Sequence, residues 1–152
     1  MANYHVATTV NPTNLQLTEV EVEILKACAY DLESNTEGYY IYSDGSAGFL
    51  RPEDCSEEVR AYLHDIFDQE ELEDQDLDPQ ETLEAVLQKV SDRTRTPIQI
   101  QMAFTCSKMR PDGFGGAAIV ILPEKDAEFL DTQAWAEKKI QDWKKAQPQT
   151  HI

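Results

Sequence analysis

The chain has little of what most recognisable chemistries require. Its 152 residues hold three cysteines, three histidines, six glycines, and thirteen basic residues against 29 acidic ones. Cys28, Cys55 and Cys106 are odd in number and widely spaced, and no CxxC pair exists. That argues against a disulfide framework and for a reducing, cytoplasmic setting. A structural zinc site would have to gather cysteines and His5 or His64 from far apart, against the short ligand spacings zinc favours. No cofactor is expected. No apolar run approaches the roughly 20 residues of a transmembrane helix. The opening Met-Ala-Asn-Tyr-His lacks a basic region followed by an apolar stretch, so neither a signal peptide nor a membrane partner is expected. The shortage of positive charge excludes most. A net charge of −16 repels nucleic acid and anionic membranes, so direct nucleic-acid binding is not expected unless Arg93, Arg95, Lys108 and Arg110 form a local basic face.

What is present reads as one globular domain. Hydrophobic residues make up 41% of the chain, and a chain of about 150 residues can bury roughly 70% of its unfolded surface without staples. Residues 146–152 read as a flexible tail. Tyr4–Val10 is rich in β-branched residues and reads as a strand. Thr18-Glu-Val-Glu21 is a capping box opening a helix of about Glu19–Leu32, with Val20, Ile24, Leu25, Cys28 and Leu32 on one face. Tyr39–Tyr42 is a second strand. Ser56 caps a helix of about Glu57–Asp68, and an acidic linker, Gln69–Leu77, follows. Asp78-Pro79-Gln80-Glu81 starts a helix whose apolar stripe is Leu83, Val86, Leu87 and Val90. Ile98–Phe104 and Ala117–Leu122 read as two strands of a hairpin. Thr132 starts a last helix, with Trp135, Ala136, Ile140 and Trp143 on one side and lysines on the other. The order β-α-β-α-α-β-β-α predicts an α+β domain with helices packed on a small, largely antiparallel sheet.

Two regions stand out as candidate sites. The first is the hairpin loop, Thr105-Cys-Ser-Lys-Met-Arg-Pro-Asp-Gly-Phe-Gly-Gly116. Lys108 and Arg110 beside Gly113, Gly115 and Gly116, with Cys106 and Asp112 in the same loop, have the makings of an anion or partner site. No GKS or GKT follows the glycines, so the loop is not a P-loop, and it lacks the spacing of a dinucleotide fingerprint. The alternative is a hairpin whose glycines serve geometry while Lys108 and Arg110 pair with the chain's own carboxylates. Lys108 and Arg110 close to Cys106 would favour its thiolate, and of His5, His64 and His151 the best-placed base is His5, provided that the first strand neighbours the hairpin. A small buried strand-end residue is the plainer account.

The second region is acidic. From Asp65 to Glu84 there are ten carboxylates and neither lysine nor arginine. Asp74-Gln-Asp76-Leu-Asp78 begins like an EF-hand loop, but Pro79 and Ala85 stand where that loop needs glycine and glutamate, so no metal is assigned. Asp68, Glu70, Glu71, Glu73, Asp74 and Asp76 instead suit a protein partner with a basic surface. Carboxylates spread in this way imitate a phosphate backbone, and counterion release from the partner's groove would drive association. Tyr39, Tyr40, Tyr42 and Phe49 offer a further aromatic surface, although strand alternation sends at least one of them to the core.

The run Ala103-Phe-Thr-Cys-Ser-Lys-Met-Arg-Pro-Asp-Gly-Phe-Gly-Gly116, followed by an apolar strand and a Trp-bearing helix, resembles a family of small, acidic, uncharacterised bacterial proteins encoded in phages, plasmids and genomic islands. The likeness spans roughly Leu83–Trp143. It implies a bacterial, cytoplasmic accessory role and carries no catalytic assignment. The expectation is therefore a non-enzymatic protein-interaction module. The alternative is a small anionic-ligand binder or enzyme centred on the Thr105–Gly116 loop.

Overall fold

Six antiparallel strands form one sheet in a computed structural model that describes residues 4–72 and 76–148. In chain order they are β1 (Tyr4–Asn11), β2 (Asp31–Asn35), β3 (Gly38–Ser43), β4 (Ile98–Cys106), β5 (Gly115–Ile121) and β6 (Glu128–Asp131). They lie side by side as β2-β3-β1-β4-β5-β6. The helices are α1 (Glu19–Ala27), α2 (Glu57–Ile66), the single turn α3 (Gln69–Leu72), α4 (Pro79–Thr94) and α5 (Thr132–Ala146). The fold is α+β, as the order of sequence signals predicts.

Period-two alternation divides the sheet into two unlike faces. Along the three central strands, Thr8, Val10, Ile98, Ile100, Met102, Ala117, Ile119 and Ile121 point inward and are buried. The register confirms that they share a face, since Val10 is opposite Ile100, Ile98 opposite Ile121 and Ile100 opposite Ile119. Ile24 and Leu25 of α1, Val59 and Leu63 of α2, and Leu83, Val86, Leu87 and Val90 of α4 complete the same core cluster. Each such side chain contributes roughly 1.5–3 kcal/mol by leaving water. The opposite face carries no helix layer: none of its residues on β1, β3, β4 or β5 is fully buried.

One polar cluster ties the helices together. Thr18 and Glu21 form the expected capping box, with the Glu21 N–H donating to Thr18 Oγ1 at 3.2 Å and the Thr18 N–H donating to Glu21 Oε1 at 2.8 Å. The Glu21 carboxylate, fully buried, also accepts from Arg93 Nη1 (2.9 Å) and Nη2 (2.7 Å) of α4 and from Tyr62 Oη (2.6 Å) of α2. Burial pushes its pKa up, but Arg93, the Thr18 N–H and the Tyr62 hydroxyl outweigh it and hold the carboxyl below its ordinary value. Burial and the neighbouring Glu21 push the Tyr62 phenol well up.

Four features depart from the sequence expectations. The expected linker Gln69–Leu77 begins with a helical turn, α3, and its residues 73–75 lie outside the described residues. The first helix stops at Ala27 rather than Leu32. Cys28 caps it, Ala29 adopts the left-handed region (φ 62), and the Tyr30 N–H reaches back to the Leu25 carbonyl at 3.0 Å. This helix end carries no glycine to announce it, and Leu32 belongs to β2. Both sheet edges, β2 and β6, are additional strands: β2 is mostly polar and β6 only four residues long, so neither carries a β signature. The last helix meets the sheet near its start but buries none of its own residues, and Trp135, Ile140 and Trp143 are exposed.

Candidate functional site

The hairpin loop is a tightly tied connection between β4 and β5. Strand alternation sends Cys106 to the inner face, where it is buried, while its neighbour Thr105 points outward. A 3-10 turn over Pro111–Gly113 brings Gly113 onto the cysteine, so closely that a Cβ there would fall 2.4 Å from Cys106 Cβ. Met109 sits in the left-handed region (φ 56), and Gly115 takes φ 155, which L side chains rarely adopt. Three backbone N–H groups of the loop donate to its own carbonyls. Met109 donates to the Cys106 carbonyl, Gly113 to Arg110 and Phe114 to Pro111.

The start of α5 clasps this loop. The Thr132 hydroxyl accepts from the Gly116 N–H at 2.8 Å, and the Gln133 amide donates to the carbonyls of Pro111 and Phe114. Neither residue was a candidate from sequence. Their only signal is position, immediately after the Asp131 N-cap that starts the helix. A shallow hollow of about 210 Å³ lies beside the clasp, lined by Tyr4, Val6, Phe104, Phe114, Asp131 and Gln133 among others. Its walls are mainly apolar, and Lys108 and Arg110 do not line it.

The candidates of the loop are therefore divided. Cys106 and Gly113 are buried together, and Gly115 and Gly116 lie under α5. Lys108, Arg110 and Asp112 are exposed, and neither cation makes an ion pair with a carboxylate among the described residues. His5 is opposite Thr105 in the β1–β4 register, with Tyr4 opposite Cys106. His5 and Cys106 thus project to opposite faces of the sheet.

The acidic candidates belong to the helical layer. Asp68 is exposed at the end of α2, and Asp76 is exposed and paired with Arg51 at 3.5 Å. Glu70 and Glu71 lie on α3, but their side chains, like the whole of Glu73 and Asp74, lie outside the described residues. The acidity extends beyond the expected linker. From Glu53 to Glu84 the chain carries fourteen carboxylates and one basic residue, Arg60. Of these carboxylates, Glu53, Asp54, Glu57, Glu58, Asp65, Asp68, Asp76 and Glu81 are exposed. Glu84 is half-buried, and burial raises its pKa. No group of three potential metal ligands occurs among the described residues, and no described helix is long and apolar enough to cross a membrane.

The aromatic candidates separate by strand alternation. Tyr40 and Tyr42 stack on the open face of β3 with ring centroids 5.1 Å apart, while Ile41 between them is buried. Phe49 lies outside the sheet and is exposed. Neither a family model, a curated protein nor a solved structure matches the chain.

Proposed function

We propose that this protein is a non-enzymatic interaction module whose helical layer docks, through its carboxylates, on a basic surface of a protein partner. One observation carries the reading: fourteen carboxylates accompany a single Arg60 between Glu53 and Glu84, and eight of them are exposed. A field of this sign and density raises association rates with a cationic groove and releases that groove's counterions. A nucleic-acid-handling enzyme is the partner class with such a groove, and occupation of it by charge mimicry would inhibit the enzyme. The resemblance to proteins of bacterial mobile elements is consistent with that accessory role.

The test is capture of partners from bacterial lysate at low and high salt, followed by affinity measurement on the partner found. A basic nucleic-acid enzyme should bind at low salt, lose affinity steeply as salt rises, and bind weakly to a variant with Glu70, Glu71, Glu73 and Asp74 neutralised. Binding insensitive to salt and to neutralisation would refute mimicry.

A second reading rests on Lys108 and Arg110, exposed and without a carboxylate partner among the described residues. They would bind a small anion at the hairpin. A thermal-shift screen of phosphates, nucleotides and carboxylates should then yield a stabilising ligand whose effect disappears in Lys108→Ala and Arg110→Ala. A panel without a hit removes this reading.

A further inference from the structure

The last helix and the open sheet face have matching properties. α5 runs fifteen residues without burying one, and Trp135, Ile140 and Trp143 are 56%, 53% and 63% exposed. At helical spacing these three residues share one broad arc. Lys139 is on the same side, its ammonium 5.9 Å from the Trp135 ring centre. Apolar surface grouped in this way marks an interaction site rather than the scatter of single exposed residues found on any protein.

α5 meets its own sheet near its start, where Thr132 lies against Gly116 of β5. Asp131 is both the last residue of β6 and the N-cap of α5. No loop separates the strand from the helix. Thr132 and Gln133 fasten its first turn to the hairpin.

The open sheet face is unusual for this chain. Charged residues are 28% of the sequence, yet β3, β1, β4 and β5 present no aspartate, glutamate, lysine or arginine on that face. Ala7, Ala103 and Ala118 make its middle shallow, and Val120 and Leu130 add exposed apolar surface. Acids stand only at its margins, Asp31 and Glu33 on β2 and Glu128 on β6.

We propose that α5 of one copy lies across the open sheet face of a second copy, and reciprocally, in a two-fold dimer. Charge favours this occupant. The four lysines of α5 against Glu137 and Asp142 give the helix +2, which leaves −18 on residues 1–131. α5 is thus the basic element of an acidic chain, and the margins of the face it would cover are acidic. In one orientation Lys144 and Lys145 approach Asp31 and Glu33. An anionic membrane attracts the helix but repels the body that carries it. Length agrees as well: fifteen residues span about 22 Å, and five strand spacings make a sheet about 24 Å wide. Two-fold symmetry uses the contact twice and satisfies both unpartnered surfaces of each copy. The acidic helical layer remains free, so the dimer is independent of the docking proposed above.

The test is sedimentation of the purified full-length protein, without partner, from low micromolar to several hundred micromolar concentration. A reversible dimer is expected. Trp143→Ala and Ala103→Arg, both at exposed positions, should each weaken it at least tenfold while the far-ultraviolet circular dichroism stays that of the wild type. Asp31→Lys with Glu33→Lys should weaken it, as should Lys144→Glu with Lys145→Glu, and the four changes together should recover it. A monomer at every concentration overturns the proposal, as does a dimer indifferent to Ala103→Arg. A monomer that co-sediments with phosphatidylglycerol vesicles through Trp143 overturns it too, and assigns the helix to a membrane surface.

Discussion

α4 and α5 are nearly equal in length, sixteen and fifteen residues, and begin in the same way. Asp78 caps the first and Asp131 the second, each accepting a backbone N–H with its side chain. Both carry an apolar stripe at helical spacing. Yet α4 buries Thr82, Leu83, Val86, Leu87, Val90 and Ser91, and α5 buries nothing. Local signals start a helix and mark its apolar side; they do not name what covers that side. For α4 the cover is the inner face of its own sheet. For α5, which follows β6 without a loop and meets the sheet near its start, Trp135, Ile140 and Trp143 stay exposed within the same copy.

Truncation in each helix gives the widest separation between them. Leu87→Ala opens a cavity in the core and should destabilise the fold by about 2–5 kcal/mol. Trp143→Ala removes a larger side chain, but an exposed one, and should change monomer stability by no more than about 0.5 kcal/mol. Urea unfolding at concentrations where the chain is monomeric measures both. Equal losses would show that Trp143 packs on its own copy.

The same contrast explains how much was legible in the residues. The inner half of the molecule reads directly, because alternation in Ile98–Phe104, the Thr18–Glu21 capping box and the Asp78-Pro79 start are local and obey local rules. The end of α1 does not, because Ala29 takes a left-handed conformation without a glycine to signal it. β2 and β6 do not, because an edge strand needs only one neighbour and few apolar residues. In the hairpin loop the glycines and cations stand out as residue types. Their division into a buried pair, Cys106 with Gly113, and an exposed pair, Lys108 with Arg110, depends on strand alternation and on a clasp by Thr132 and Gln133 from an element sixteen or more residues onward. Glu21 shows the limit most clearly. Its capping role is visible three residues away at Thr18, whereas its partner Arg93 lies 72 residues along the chain.

Arg93 is the distant partner on which the Glu21 charge depends. Removing it leaves the fully buried Glu21 carboxylate with only Tyr62 and the cap. Breaking a fully buried pair costs about 3–5 kcal/mol. The Arg93 side chain is 41% exposed, which screens the interaction, so about 2 kcal/mol is expected for Arg93→Ala. The pH dependence carries a distinct sign. The folded pKa of Glu21 lies below that of an ordinary glutamate, so its contribution is full above the ordinary value and is lost as pH falls through the folded pKa. In Arg93→Ala, burial dominates and raises the folded pKa, so the slope in the acid range should flatten or invert. Urea midpoints between pH 3 and 7 for the two proteins check both sign and size. An unchanged slope would show that Arg93 does not hold the carboxylate ionised.

The smallest effect separates the two kinds of cation in the molecule. Arg93 is fixed by Glu21, whereas Lys108 and Arg110 stand exposed on the hairpin without an ion pair among the described residues. Lys108→Ala and Arg110→Ala should therefore each shift stability by less than about 0.5 kcal/mol. Thermal unfolding at low and moderate salt is the measurement, since any carboxylate they neutralise through space would appear as a loss greatest at low salt. A salt-dependent loss above about 1 kcal/mol would mean that the hairpin cations serve the protein's own acids, and would remove the ground for an anion site there. The expected near-zero change leaves both cations free for a ligand. It also makes them usable in binding tests, because a variant that folds like the wild type and binds differently reports on the loop alone.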